Sequence, residues 1–238
     1  MDLLSEIVDR ARPVSEAVPL EGTPLLLTLL VAAAAILVDP LWRILRVAIT
    51  LVHELGHAFV GVLVGRRFTG FVVRADMSGH AVTSGKPRGF GRIVTTWAGY
   101  PMPALVGAAM VLLAESGWGA SLLTALLALV LVAFVRIRSA LTLLVMLAAL
   151  AGIGTVWWWR DDALQAHVLV AAGIVLIAGA WRHLGAVLRG GRQDRSSDPA
   201  VLASLSWLPR SGWVLSFVVV LALATAVAAM TIRTGLAV

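Results

Sequence analysis

The residues best suited to chemistry are three polar side chains in residues 52–57, which contain the pattern His-Glu-x-x-His. On a helix, His53 and His57 lie one turn apart on the same face, so both imidazoles can bind one Zn²⁺ ion. Glu54 follows the first histidine and is close enough to take a proton from water activated by the metal. The pattern therefore predicts a hydrolytic zinc site with Glu54 as the catalytic base.

The motif lies inside an apolar run, residues 41–64, that is long enough to cross a bilayer. Arg43, Thr50 and the two histidines recur along it at helical spacing, and Glu54 is the only acidic residue between Pro40 and Arg74. Ionisable groups are costly at membrane depth and usually have a function there. We expect this polar face to line protein or a wet cavity, because lipid offers no hydrogen-bonding partners. The alternative is a polar face that serves only interhelical hydrogen bonds.

Composition indicates a polytopic membrane protein. Apolar residues make up 60% of the 238-residue chain and charged residues 13%, and the mean hydropathy is +0.93. The absence of cysteine excludes disulfides and thiolate metal sites. The net charge of +6 comes from Lys and Arg between apolar runs, which is typical of membrane topology. We therefore expect a lipid bilayer and no nucleic acid as a partner.

Seven apolar runs predict an all-α polytopic fold with six to seven transmembrane helices. The runs cover residues 24–38, 41–64, 93–114, 120–135, 139–159, 163–188 and 214–232. Pro101 and Pro103 are expected to kink the third of these. Residues 1–22 carry acidic side chains and no apolar core, which predicts a cytoplasmic N-terminal segment. Residues 23–238 are predicted to form a single membrane-embedded domain.

Two polar stretches interrupt this domain. Residues 68–87 predict a short β-hairpin after the motif helix, in which two strands flank a turn. Its edge could hold an extended substrate by strand addition, although a solvated connecting loop is the alternative. Residues 189–210 form a polar linker rich in Arg, Ser, Gly and Asp.

The distribution of basic residues predicts the orientation. With a cytoplasmic N-terminus and seven spans, residues 1–22, 65–92, 136–138 and 182–210 are cytoplasmic and hold 15 of the 19 Lys and Arg residues. This bias places the N-terminus and the histidine end of the motif helix in the cytoplasm. Arg136 and Arg138 are interpreted as topology anchors, and His183 as marking the cytoplasmic end of its helix.

Residues 50–58 resemble the metal-binding helix of the site-2 protease class of intramembrane zinc metallopeptidases, in its compact, PDZ-less, actinobacterial-type branch. The similarity extends through residues 64–67, the hairpin and residues 98–101, and more weakly to residues 197–199. The resemblance implies a multi-pass bacterial cell-membrane protein that cleaves transmembrane protein substrates. It also implies that His53 and His57 bind Zn²⁺, and that Glu54 is the base and then the proton donor to the leaving amine.

The third metal ligand is less evident, because the family takes an Asp from an Asn-Pro-x-x-Gly-like segment and this chain has no asparagine. The candidates are Asp39, Asp76, His80, Asp161, Asp162, Asp194 and Asp198. Asp39 lies more than about 20 Å from His53 by helical rise. Asp198 is preferred, since Ser197-Asp198 resembles a Ser-Asp pair in the compact branch. The alternative is that Asp198, followed by Pro199, only caps a helix.

Two other functional classes stay open. The absent asparagine motif is also compatible with a non-catalytic relative that binds zinc or a membrane-protein partner without proteolysis. A small transporter would be expected to show repeated halves and paired discontinuous helices, and the sequence has no such repeat. The substrate, the cleavage site and the oligomeric state leave no pattern in the sequence.

Overall fold

The structure is a computed structural model that describes residues 3–14, 19–73, 79–189 and 195–236. Most of these residues are helical. The helices are α1 (Leu3–Ala11), α2 (Gly22–Leu37), α3 (Asp39–Leu63), α4 (Phe90–Trp97), α5 (Pro101–Glu115), α6 (Gly119–Phe134), α7 (Ala140–Trp158), α8 (Asp162–Arg189), α9 (Asp198–Leu205) and α10 (Arg210–Leu236). Two strands, β1 (Arg67–Val73) and β2 (Gly79–Ser84), follow the motif helix α3.

Four helices of the described chain are long and apolar enough to cross a membrane, namely α3, α7, α8 and α10. Helices α4 and α5 would make a fifth span if taken together, but they are bent by 61°. Helices α2 and α6 are apolar and have 16 residues each, against about 20 for a typical span. Helix length and composition thus support four to five spans, and the predicted number of six to seven is not established.

The bend between α4 and α5 falls where the two prolines predict it. Helix α4 ends at Trp97 and α5 begins at Pro101. Proline has no N–H to continue a helical ladder and its ring crowds the preceding turn. The bend places the buried backbone of residues 98–99 against α3, and this positions the site described below.

The predicted hairpin is confirmed as a two-stranded antiparallel sheet, with Phe71 opposite Ala81 and Val73 opposite Gly79. A register shift between Phe68 and Gly70 bends its first strand. Residues 74–78, which include the candidate ligand Asp76, lie outside the described residues.

The outer edge of β1 is attached to the segment between α6 and α7. The Phe71 N–H donates to the Arg136 carbonyl oxygen at 3.1 Å, and the Val73 N–H donates to Thr142 Oγ1 at 2.9 Å. The Arg138 guanidinium donates to the Thr69 carbonyl oxygen. The hairpin is therefore a sheet that is hydrogen-bonded to the rest of the fold, and the interpretation as a solvated connecting loop is wrong.

Small residues let the central helices approach closely. At Gly107 of α5 an added Cβ would lie 2.5 Å from the Gly173 carbonyl oxygen of α8. At Gly179 of α8 an added Cβ would clash with the Ile49 side chain of α3. These contacts hold the motif helix against the α5–α8 pair, so its histidines have a defined position.

The N-terminal segment lies at the opposite end of α6 from the hairpin. The Val14 N–H donates to the Gly117 carbonyl oxygen at 3.0 Å, and the Ser121 hydroxyl donates to the Ala11 carbonyl oxygen at 2.7 Å. The Arg160 guanidinium also donates to the Arg12 carbonyl oxygen at 2.9 Å. Helix α6 separates these contacts from the hairpin by about 24 Å at 1.5 Å per residue.

The two positions bear on the predicted topology. In a membrane that α6 crosses, residues 3–14 and the hairpin lie on opposite sides, whereas the charge count predicts one side for both. The orientation of the N-terminal segment stays a prediction, because it depends on which of the apolar helices cross the bilayer.

Candidate metal centre

Helix α3 presents His53 and His57 on one face, as the spacing predicts. Their Nε2 atoms are 3.1 Å apart. Gly56 lets this helix approach the start of α5, since an added Cβ there would lie 2.6 Å from the Met102 Cβ. The close approach brings the bent segment between α4 and α5 directly over the two imidazoles.

Asp198 joins the two histidines from the first turn of α9. Its Oδ2 atom lies 3.2 Å from His53 Nε2 and 3.2 Å from His57 Nε2. Burial raises the pKa of the Asp198 carboxyl, but the His57 and His53 imidazoles lower it more, so its pKa lies below the ordinary value. The carboxylate is therefore in the charged form that a metal ligand requires.

The donor set fits zinc. One ligand atom from each of His53, His57 and Asp198 lies within 4.8 Å of the others. Donors bound at about 2.0–2.1 Å in a tetrahedron would be roughly 3.3–3.4 Å apart, close to the separations found. Two imidazoles and one carboxylate also match the ligand classes of catalytic zinc sites, which leave a fourth position open.

The backbone at Gly99 closes the site on the side of the bend between α4 and α5. An added Cβ at Gly99 would lie within 3.0 Å of Nε2 of both His53 and His57. Only glycine leaves the two donor atoms free at this position. The Tyr100 ring lies edge-on to the His53 ring, with centroids 4.9 Å apart.

A backbone carbonyl orients His57. Its Nδ1 atom lies 2.7 Å from the Thr95 carbonyl oxygen of α4. Because a carbonyl only accepts, Nδ1 carries a proton, which leaves Nε2 as the ring nitrogen that can bind a metal. On the other histidine, His53 Nδ1 is buried without a hydrogen-bond partner in the described part of the chain.

Glu54 is buried between α3 and the hairpin. Its side chain is in the core, at 4% exposure of the residue. An added Cβ at Gly79, the first residue of β2, would lie within 3.0 Å of its Oε1 atom. The start of β2 therefore lies directly against the carboxylate predicted to act as the base.

The other candidate ligands that the structure describes lie outside this group of three. Asp39 begins α3, and His80 is an exposed residue of β2 outside the metal-ligand group. Asp161 accepts from the Leu164 N–H at 2.9 Å, and Asp162 pairs with Arg160 at 3.0 Å. Asp194 is outside the described residues.

The capping interpretation of Asp198 is wrong. The N-cap of α9 is Ser197, and Asp198 is the first helical residue, with Pro199 following it. The prediction of a proline in the first turn of this helix is correct, but the N-cap lies one residue before the predicted position. The Asp198 carboxylate points to the two histidines instead.

Sequence reasoning missed several neighbours of the site. Thr95 offers a backbone carbonyl, which no side-chain pattern can indicate. Gly79 and Gly99 act through the absence of a side chain, although Gly99 lies in the stretch that carried the family resemblance. His183 was interpreted as a helix-end marker, yet its ring centroid lies 6.1 Å from that of His53.

Comparison with protein families agrees with this geometry. A family model described as Peptidase M50B-like matches residues 26–228, which include the motif helix, the hairpin and Asp198. The chain belongs to the Peptidase M50B-like family. This is the site-2 protease family, so the predicted resemblance is confirmed.

Membership has direct consequences for this M50B-like chain. It is a member of a peptidase family that is typically metal-dependent, and its apolar helices agree with a membrane protein. Neither the curated proteins nor the solved structures contain a match to it.

Proposed function

We propose that this protein is a zinc-dependent intramembrane endopeptidase that hydrolyses peptide bonds of transmembrane protein substrates. The observation that carries the proposal is the convergence of His53, His57 and Asp198 on one point. Buried Glu54 stands on the same helix, one residue from the first ligand. Family membership supplies the reaction class, since the matched residues belong to a peptidase family.

The residues of the site have separate roles in this reaction. His53, His57 and Asp198 would hold the ion, which when bound polarises the scissile carbonyl and lowers the pKa of water. Glu54 takes the proton from the attacking water and then donates it to the leaving amine nitrogen. The Thr95 carbonyl keeps His57 in the tautomer that binds metal.

The hairpin offers one edge to an extended substrate. Phe71 and Val73 direct their N–H groups away from β2, so their partners Ala81 and Gly79 direct theirs away from β1. The β1 edge is occupied, whereas no described residue hydrogen-bonds the outward backbone groups of Gly79 and Ala81.

A substrate strand added along this edge of β2 would pass beside Glu54, because Gly79 lies against its carboxylate. Helical peptide bonds are shielded by their own hydrogen bonds, so a transmembrane substrate must unwind locally before it is cleaved. The β2 edge satisfies the backbone groups that unwinding releases.

The proposed location is the cell membrane, with the hairpin end in the cytoplasm. Residues 65–92 and 136–138 hold eight Lys and Arg residues at this end. Cytoplasmic loops carry such an excess. We keep six to seven spans in the proposal by counting α2 and α6, neither of which carries a charged residue.

The test compares Glu54→Gln with Glu115→Gln, a matched change at the far end of α5. Each protein is reconstituted in proteoliposomes with a panel of single-span membrane proteins, and the products are identified by mass spectrometry. Removal of a general base is expected to lower the cleavage rate by about 10²–10⁴-fold. Glu54→Gln should keep its zinc, and Glu115→Gln should cleave normally.

Two outcomes would overturn the proposal. Unchanged cleavage in Glu54→Gln excludes the assigned mechanism. The unchanged protein could also bind one zinc per chain and cleave no member of the panel. That result favours the alternative, a non-catalytic relative that binds zinc or a membrane-protein partner.

A further inference from the structure

The face of α3 that carries Leu55, Phe59 and Val62 borders an open groove. Helix α6 forms its other wall through Leu129, Val132 and Ala133, and β1 closes one end. The cavity has a volume of about 800 Å³. Several wall residues are exposed, with Phe59 at 53%, Val62 at 55% and Val132 at 70%. The groove is therefore apolar, open along its side and about the size of a ligand site.

Four arginines line the β1 end of this α3–α6 groove. They form what we call the arginine cluster, Arg66, Arg67, Arg136 and Arg138. Among the described residues, no acidic side chain lines the groove and no member of the cluster makes an ion pair. Four positive charges thus stand together without an anion from the described chain.

The members of the cluster differ in how the fold uses them. Arg66 is buried and donates to the Lys86 carbonyl oxygen at 2.8 Å. Arg138 holds the Thr69 carbonyl oxygen. Arg67 and Arg136 are exposed, and both lie at the same end of the groove. These two are available to a ligand, whereas the other two mainly fix the loops around it.

We infer that this groove binds an anionic phospholipid, with the phosphate at Arg67 and Arg136 and an acyl chain between α3 and α6. Guanidinium groups bind phosphate through charge-assisted, often bidentate hydrogen bonds. Basic pockets beside apolar helix faces on the cytoplasmic side bind anionic lipid headgroups. The apolar walls match a hydrocarbon chain, which a free phosphate or a nucleic acid lacks.

The site is separate from the metal centre. Its α3 residues point away from His53 and His57, and none of the metal ligands lines the groove. A bound lipid would join β1 to the segment after α6, since Arg67 and Arg136 come from these two places. The inference therefore stands whether or not the protein is a peptidase.

The experiment measures lipid binding by native mass spectrometry of the purified full chain in neutral detergent. Dioleoyl phosphatidylglycerol and dioleoyl phosphatidylcholine are titrated separately. The Arg67→Gln/Arg136→Gln variant is compared with Arg43→Gln/Arg233→Gln, which also removes two exposed arginines but away from the groove. We expect phosphatidylglycerol binding to weaken by about tenfold or more in the first variant only, a loss of about 1.4 kcal/mol.

A second pair of variants tests the acyl-chain position. Val132→Trp fills the groove, while Val219→Trp makes the same change at an exposed position of α10. Only Val132→Trp should weaken phosphatidylglycerol binding. Thermal unfolding in lipid-free detergent checks that each variant is folded.

Several results would overturn the inference. Equal binding of the two lipids, or equal loss in both double-arginine variants, excludes recognition of the anionic headgroup by this cluster. Inorganic phosphate that competes as strongly as the lipid, or unchanged binding in Val132→Trp, excludes the acyl-chain groove. Displacement of the lipid by a substrate helix that binds more tightly would assign the groove to substrate instead.

Discussion

The two faces of α3 contact the same hairpin but are built in opposite ways. The face with His53, Glu54 and His57 is covered by Gly79, by the bent backbone at Gly99 and by Asp198. The opposite face, with Phe59 and Val62, is open and apolar. Ionisable groups at membrane depth need protein partners, whereas apolar side chains can face lipid. The close backbone and side-chain contacts are therefore concentrated on the face of α3 that carries the ionisable groups.

The largest effect is expected from Asp198→Ala, which removes the ligand contributed by α9. Loss of partners of metal ligands typically costs 10–100-fold in affinity, and loss of a ligand should cost more than roughly 100-fold. Zinc per chain is measured by elemental analysis after dialysis against a weak chelator. Asp39→Ala, at the start of α3, is the control and should keep its zinc. Full zinc occupancy in Asp198→Ala would show that the third ligand lies elsewhere.

Gly99→Ala tests whether backbone shape closes the chemical face. Its Cβ would meet Nε2 of both histidines, so we expect zinc affinity to fall by about 10–100-fold. Gly152→Ala on α7 is the matched control, because an added Cβ there meets no atom within 4 Å. Competition with a fluorescent zinc chelator measures both variants. Equal affinities would mean that the bend between α4 and α5 adapts to a methyl group.

Gly79→Ala separates the base from the metal. The new Cβ would displace the Glu54 carboxylate and leave the three ligands in place. Misplacement by about 1 Å can cost about 10²-fold in rate, so cleavage should fall by that order with zinc retained. The measurement pairs the proteoliposome cleavage assay with zinc analysis. Loss of zinc together with activity would contradict a role confined to Glu54.

Phe59→Ala gives the smallest expected effect and completes the comparison. Its ring is half exposed on the open face, so we expect a change in the free energy of unfolding within about 0.5 kcal/mol. Zinc content and cleavage should not change. Thermal unfolding in detergent checks the first expectation, and a loss of zinc would show that the two faces of α3 are coupled.

The amino-acid sequence predicted the local parts of this protein well. The spacing of His53 and His57 determined that they share a helix face, because that geometry depends only on the helical repeat. Two short stretches with strand character on either side of a turn predicted the hairpin. Two prolines predicted the bend before α5. Each of these features is encoded by neighbours in the chain.

Charge counting and helix length were less informative. The Lys and Arg pattern predicts that the N-terminal segment and the hairpin lie on the same side of the membrane. Hydrogen bonds from Val14 and Ser121, however, hold the N-terminal segment at the end of α6 that is farther from the hairpin. Apolar runs also do not reveal whether a 16-residue helix crosses a bilayer. Such properties depend on how helices pack and on the surrounding membrane.

The sequence by itself thus determined the two imidazoles and the carboxylate on α3, together with the family to which they belong. Only the tertiary structure decided that Asp198 approaches both histidines, that Thr95 orients His57, and that Gly79 and Gly99 close the site. These contacts join segments that are far apart in the chain. They are made by a residue in the first turn of a helix, by a backbone carbonyl oxygen and by two glycines that have no side chain. Their positions depend on the packing of α4, α5 and α9 around α3, which no local pattern contains.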